Sequence, residues 1–270
     1  MSNIFITGAS SGIGFETAKA LALRGHTVFA AARRLDKLEK LRDFQIVPVE
    51  LDVTSTESIE KAVQTVQEQA GRIDVLINNA GFGFYGALED VDIADARQQF
   101  DVNVFGLMEL TKVVLPIMRT QGSGRIINTS SMGGRMVAYF GGWYHASKYA
   151  VEALSDALRM ETAGHNIDVV LIEPGAIKTP WGAIAADNLE KASGAGAYAK
   201  EAKRASASMR KMYEGSMISD PAVVVKAMVQ AVEAKRPKAR YLIGFGAKPL
   251  VFAHAVLPNK LFDAIMRRAV

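Results

Sequence analysis

"NIFITGASSGIG", Asn3 to Gly14, is the stretch that decides the fold. Asn3 to Thr7 is a short apolar run of the kind that forms a buried strand. Thr7 to Gly14 reads as a glycine turn, and the apolar-periodic "FETAKALALRG" that follows reads as a helix. A strand that passes through such a turn into a helix leaves free backbone amides at the helix N-terminus, where a pyrophosphate can bind. The spacing of Gly8, Gly12 and Gly14 departs from G-x-G-x-x-G, so the turn alone leaves a purely structural role open.

The same alternation continues along the chain. "TVFAAA", "QIVPVELDV", "IDVLINNAG", "GRIINTSS", "IDVVLIEPG" and "ARYLIGF" read as further strands. Between them lie "LDKLEKLRD", read as a charged amphipathic helix, "STESIEKAVQTVQEQAG", a capped helix, a long helix from Asp92 to Met118 that breaks or ends near Pro116, and "YHASKYAVEALSDALRMETA". Continuously apolar strands alternating with helices are the mark of a parallel sheet covered on both faces. The expected fold is α/β: a Rossmann-type, doubly wound, mostly parallel seven-stranded sheet flanked by helices on both faces, one domain over 1–270. Thr179 to Gly215, rich in Ala, Gly, Lys and Met, interrupts the pattern. It reads as a helical insertion, and residues 180–217 are expected to form a lid over the substrate.

Composition narrows the class. The 270 residues are 49% hydrophobic and 22% charged, which is ordinary for a globular protein and argues against disorder. The net charge of +4 is mild, and no run of like charges suggests a nucleic-acid tail. Without cysteine there are no disulfides and no thiolate chemistry, which suits a reducing cytoplasm. "MSNIFITGAS" does not read as a signal peptide. The apolar stretch "PLVFAHAVLP" is about half of the roughly 20 residues that a membrane helix needs. His26, His145, His165 and His254 have no metal-like spacing, and no metal is expected.

Several residues fall at the carboxyl edge of the expected sheet, where ligands of open α/β sheets bind. Asp52 follows the third strand, and "NNAG", Asn78 to Gly81, ends the fourth. Each also fits an ordinary cap or turn. "YHASK", Tyr144 to Lys148, places a phenol and an ammonium four residues apart, on one helical face. His145 points about 100° away around that helix.

Taken together, these residues resemble the short-chain dehydrogenase/reductase family. The match comprises T-G-x-x-x-G-x-G (Thr7, Gly8, Gly12, Gly14), N-N-A-G (Asn78 to Gly81), Asn103 in the long helix, Ser131, Y-x-x-x-K (Tyr144, Lys148), and P-G (Pro174, Gly175) followed by Thr179. Order and spacing agree from residue 3 to about 180. "NNAGFGFYGALED" and "FDVNVFGLMELT" are similar to the branch that contains 17β-hydroxysteroid dehydrogenase-like proteins.

The resemblance implies that Tyr144 exchanges a proton with the substrate oxygen while hydride moves to or from nicotinamide. Lys148 and the oxidised cofactor would lower the Tyr144 pKa from its usual value near 10. It implies that Ser131 hydrogen-bonds the substrate oxygen, that Asn103 anchors a water in a relay to Lys148, that Lys148 also holds the nicotinamide ribose, and that Thr179 contacts the carboxamide. Ser130, its neighbour facing the other way, reads as structural. The implied cofactor site comprises Gly8, Ser10, Ser11, Gly12, Ile13, Gly14, Arg33, Arg34, Asp52, Val53, Asn79, Ala80, Gly81, Tyr144, Lys148, Pro174, Gly175, Ile177 and Thr179. The cofactor is expected to be NADP(H), with NAD(H) second. Ala32 stands where an acidic residue would bind the NAD ribose, Arg33 follows it, and Ser11 adds a hydroxyl.

Phe82, Phe84, Tyr139, Trp143 and Trp181, with Ser131 and Tyr144, are expected to form the substrate wall. Tyr85, Met132, Phe140, Met209, Met212, Tyr213 and Met217 are further candidates. An aromatic, Met-rich wall suits a lipophilic carbonyl or secondary alcohol such as a ketone, aldehyde or steroid-like compound. The family often forms homo-oligomers. Two other classes stay open: a non-catalytic dinucleotide sensor on the same fold, and a membrane-peripheral protein held by "PLVFAHAVLPNKLFDAIMRRAV".

Overall fold

The apolar runs become strands. In the computed structural model, which describes residues 1–215 and 217–268, seven strands form one sheet: β1 (Asn3–Thr7), β2 (Thr27–Ala32), β3 (Val47–Glu50), β4 (Val75–Asn78), β5 (Gly124–Thr129), β6 (Ile167–Pro174) and β7 (Arg240–Ile243). Ser216, inside the expected 180–217 lid, and residues 269–270 lie outside the described residues. The order is β3-β2-β1-β4-β5-β6-β7, and every neighbouring pair is parallel. Successive residues of a strand point to opposite faces, and β1 shows the consequence. Ile4 and Ile6 enter one core with Val28, Ala30 and Val224, whereas Phe5 enters the other with Phe29, Leu76 and Leu110. Both faces are buried, as a parallel sheet requires.

The helices α1 (Gly12–Ala22) and α8 (Ala222–Glu233) cover the first face; α2 (Thr56–Ala70) and α4 (Leu107–Gln121) cover the second. α3 (Ile93–Phe100) leads into α4, and α5 (Gly142–Thr162) runs from the site. α6 (Trp181–Ser193) and α7 (Ala199–Glu214) pack on each other beyond β6, and α9 (Ala247–Val256) and α10 (Asn259–Arg268) follow β7. The chain reverses direction across the sheet between β1 and β4. That reversal opens the crevice at the carboxyl ends of the strands.

Two expectations about helices are corrected. Pro116 neither breaks nor ends its helix, because α4 continues to Gln121. Proline removes one hydrogen bond to the carbonyl of Lys112, but Pro116 and Lys112 are both exposed, so water can take the freed acceptor. The irregularity lies earlier, in a π-helical turn over Asp101–Gly106 between α3 and α4. "LDKLEKLRD" forms two short 3₁₀ turns, Leu35–Lys37 and Glu39–Phe44, in place of an α-helix. Leu38 and Leu41, both fully buried, are three residues apart, the period of a 3₁₀ turn.

Candidate active site

The glycine turn leaves β1 at Thr7. Gly8 has φ +67°, a left-handed value that favours glycine, and a Cβ there would lie 2.8 Å from the Ala80 backbone. A Cβ on Gly14 would collide with the Gly8 carbonyl oxygen and with Asn79. Ser11 caps α1 without a side-chain hydrogen bond, so the first amides of α1 face the crevice without a side-chain partner. Thr7 ties the turn to the end of β4: its Oγ1 accepts from the amides of Asn79 and Ala80, each at 3.0 Å. This is a cradle for a phosphate group, and the residues fit a dinucleotide.

A cavity of about 1160 Å³ opens above the cradle. All of the expected cofactor residues line it, from Gly8, Ser10, Ser11, Gly12, Ile13 and Gly14 through Arg33, Arg34, Asp52, Val53, Asn79, Ala80 and Gly81 to Pro174, Gly175, Ile177 and Thr179. Arg33 is exposed at the rim. Burial pushes the Asp52 carboxyl up, but two hydrogen bonds from Thr54 and the Arg33 charge outweigh it and hold the group below the usual range.

Ser131, which follows β5, and Tyr144 and Lys148, from α5, line the same cavity. Ser131 follows β5; its Oγ accepts from the Gly133 amide at 3.0 Å and donates to the Pro174 carbonyl at 3.4 Å. Ser130 also borders the cavity, but its hydroxyl is buried without a hydrogen-bond partner. Tyr144 and Lys148 sit one turn apart on α5, both more than nine-tenths buried. Lys148 Nζ donates to the Thr129 carbonyl at 2.8 Å. Burial lowers the Lys148 pKa to about 8, against the pull of Glu152. Burial raises Tyr144 to about 12, and the Ser131 hydroxyl works the other way. The expected lowering of Tyr144 by Lys148 is therefore not present in the protein alone: dehydration dominates, and the ammonium is turned toward Thr129.

Asn103 does not line the cavity. It lies in the π-helical turn, buried, where its Oδ1 accepts from the Phe82 amide at 3.0 Å and its Nδ2 donates to the Phe82 carbonyl at 2.9 Å and to Ser147 Oγ at 3.0 Å. It clamps the segment after β4 onto α5. Its carbonyl oxygen would lie 3.0 Å from a Cβ on Gly81, and Lys148 Nζ 3.5 Å from the same point, so the two groups are close neighbours.

The aromatic wall divides. Phe82, Tyr139 and Trp181 line the cavity, as do Tyr85, Met132, Met209, Met212, Tyr213 and Met217. Phe84 and Trp143 do not: both belong to a separate apolar cluster with Val91 and Ala96, and Trp143 meets Phe100 edge to face. Phe140 is buried outside the cavity, in the cluster that contains Tyr85. Trp181 opens α6 and stands 5.2 Å, ring to ring, from Tyr144 and 5.7 Å from Tyr85. The missing side chain of Gly182 lets the Tyr213 ring lie against α6, so this glycine serves packing.

Met136, Phe245, Leu250 and Met266 also line the cavity, and none of them was expected. Met266 and Leu250 come from α10 and α9, whose apolar spacing was the only sequence signal. His145 is a structural residue: Nδ1 faces the Gly133 carbonyl at 2.9 Å, Nε2 accepts from the Ala138 amide at 3.1 Å, and burial lowers its pKa to about 4.

Residues 2–189 match the family described as short chain dehydrogenase. The chain is a short-chain dehydrogenase/reductase. Along almost its whole length it is similar to a probable short-chain type dehydrogenase/reductase, VdlC, of Helicobacter pylori, with 35% identity over 265 residues, 98% of this chain and 96% of that one. It is 43% identical over 177 residues to a 3-ketodihydrosphingosine reductase of Bacteroides thetaiotaomicron, covering 65% of this chain and 64% of that one. The crystal structure of a short-chain dehydrogenase from Streptomyces avermitilis superposes with a TM-score of 0.81 at 32% identity, covering 94% and 92% of the two chains. The short-chain dehydrogenase/reductase described here is thus an oxidoreductase of a family that binds nicotinamide dinucleotide. Among its described residues no helix is long and apolar enough to cross a membrane, and no cluster of side chains could hold a metal ion.

Proposed function

We propose that this short-chain dehydrogenase/reductase reduces lipophilic carbonyl compounds to secondary or primary alcohols with NADPH. The observation that carries the reading is the convergence of Ser131, Tyr144 and Lys148 on one cavity, where Tyr85 and Trp181 pack beside the Tyr144 ring and Met209 and Met212 add apolar lining. A ketone or aldehyde seated there accepts a hydrogen bond from the Ser131 hydroxyl. Tyr144, whose burial keeps it a neutral phenol, donates its proton to the same oxygen as charge develops there. When bound, the nicotinamide supplies the hydride to the carbonyl carbon. With the cofactor bound, Lys148 would hold the ribose and offset the charge of the phenolate left behind, and Thr179 would hold the carboxamide. Asn103 acts at one remove, by fixing the Phe82 segment and α5.

Arg33 at the rim, with Ala32 in place of an acid, supports NADP(H) over NAD(H). The helices α6 and α7, within residues 180–217, are the proposed lid over the substrate, in one domain spanning 1–270. The lack of cysteine suits a cytoplasmic location, and exposed Phe105 and Met160 suit a homo-oligomer. A screen of lipophilic ketones, aldehydes and steroids, read as NADPH oxidation, tests the proposal. Silence across the panel, with NADPH bound, would favour a dinucleotide sensor.

A second reading has its own observation. On α9, Phe252 and Val256 are exposed four residues apart; on α10, Leu261 and Ile265 are exposed at the same spacing. Lys248, Lys260, Arg267 and Arg268 accompany them. This combination suits contact with an anionic lipid surface. Flotation with anionic vesicles, compared with a chain that ends near Lys248, tests it; equal flotation of the two would contradict it.

A further inference from the structure

Behind the cavity, on the far side of Lys148, lie two buried carboxyl groups that the reaction does not use. Glu152 stands on α5, one turn beyond Lys148, and is 6% exposed; Glu173, on β6 immediately before Pro174, is fully buried. Both turn to one donor. Arg240 Nε lies 3.1 Å from Glu152 Oε2 and 3.0 Å from Glu173 Oε1. A single N–H cannot fully serve two carboxylates. The other arm of Arg240 is committed to Asp156 at 2.6 Å, and Asp156 also pairs with Arg159. Arg135, half in solvent, reaches Glu173 Oε1 only at 3.4 Å.

The second oxygen of each carboxyl, Glu152 Oε1 and Glu173 Oε2, is buried without any donor. Two ionised carboxylates would leave both oxygens desolvated and unpaired beside a like charge, which is costly. One proton held by the pair removes one charge and supplies a missing donor.

We propose that Glu152 and Glu173 share a single proton at neutral pH, and that its loss adds the negative charge that tunes Lys148. The groups that face Glu173 are Glu152 on α5, Arg240 on β7 and Arg135 after β5. Burial first, then the Glu152 charge, push the Glu173 carboxyl up to about 7, while Arg135 and Arg240 pull it down. On the other side, Glu152 favours the ammonium of Lys148. Both glutamates are positioning residues: they touch neither substrate nor cofactor and act through the charge of Lys148. The link to turnover rests on the role proposed for Lys148; the shared proton itself does not.

Infrared spectroscopy of the full chain tests the proton directly. The wild type at pH 6 is expected to show the C=O stretch of a buried protonated carboxyl, and to lose it by pH 9. Glu173→Gln and Glu152→Gln should each abolish the band, because sharing needs both carboxyls. A band that survives Glu152→Gln would place the proton on Glu173 alone, and no band in the wild type at pH 6 would show both groups ionised; either result overturns the proposal. The wild-type titration needs no variant to fold and no substrate to turn over, so its failure is distinct from a failure of the proposed reaction. In the pH profile of kcat, Glu173→Gln should remove an ionisation near neutrality while leaving the rate at pH 6 little changed. An unchanged profile would refute the coupling to Lys148.

Discussion

Replacing Arg33 and Ala32 gives a graded test of cofactor choice. Arg33 lines the cavity and is exposed, so its bond to a 2′-phosphate would be charge-assisted but partly screened. Such bonds contribute about 1.5–3 kcal/mol, and the exposure argues for the low end, so Arg33→Ala should weaken NADPH roughly 10-fold. NADH, without the phosphate, should change little. Ala32→Asp should do more. At about 5 Å, with an effective dielectric near 40, one carboxylate repels a phosphate of charge about −1.5 by roughly 2–3 kcal/mol, a further 30- to 150-fold against NADPH. The same carboxylate can bond the free ribose hydroxyls of NADH, and the preference should reverse. Ala32 pairs in register with Glu50 on β3, so the new charge lies beside an old one and should also lower the melting temperature slightly. The assay is kcat/KM for each cofactor with a common ketone. A wild type that uses NADH as well as NADPH, or an Arg33→Ala variant equally impaired with both, would refute the reasoning.

Lys148→Ala should reduce both kcat and cofactor affinity, because one side chain is assigned to the phenolate and to the ribose; fluorescence titration of the NADPH Kd separates the two. Phe84→Ala should cost about 3–5 kcal/mol of stability with KM unchanged, whereas Tyr139→Ala, on the cavity, should raise KM with little loss of stability; thermal denaturation and kinetics distinguish them. Stability should also fall as pH rises through neutrality. Glu173 has its folded pKa raised from 4.5 to about 7, so its proton stabilises the native state fully below pH 4.5, and that contribution is lost as pH rises through about 7. Glu173→Gln should flatten this dependence in melting curves taken from pH 5 to 8.

The sheet and its ligand edge were legible in the sequence because buried parallel strands leave continuous apolar runs and because a glycine turn must use glycine. Ser131, Tyr144 and Lys148 were legible because their spacing carries the family resemblance. The division of the aromatic wall was not. Phe82 and Phe84 are two residues apart with identical side chains and both pack toward Val91 and Ala96, yet only Phe82 also lines the cavity, while Phe84 is buried away from it. Only the packing of α3 and the segment after β4 decides that. The π-helical turn at Asn103 was hidden for a similar reason: Pro116 is the visible breaker, but on an exposed face a helix tolerates it, whereas the turn at Asp101–Gly106 is set by the clamp between Asn103, Phe82 and Ser147. The contribution of Leu250 and Met266 was out of reach, since the segments that carry them match no motif and meet the site only through the fold.

The proton step is the centre of this account, and Tyr144→Phe tests it most directly. The substitution removes one hydroxyl from a buried ring that packs, tilted, against Tyr85 and Trp181, so the site should keep its shape. With NADPH and any ketone that the wild type turns over, kcat should fall at least about 100-fold, the low end of what a positioned proton donor contributes, while the NADPH Kd stays unchanged. A variant that keeps more than about a tenth of the wild-type kcat would contradict the role given to Tyr144.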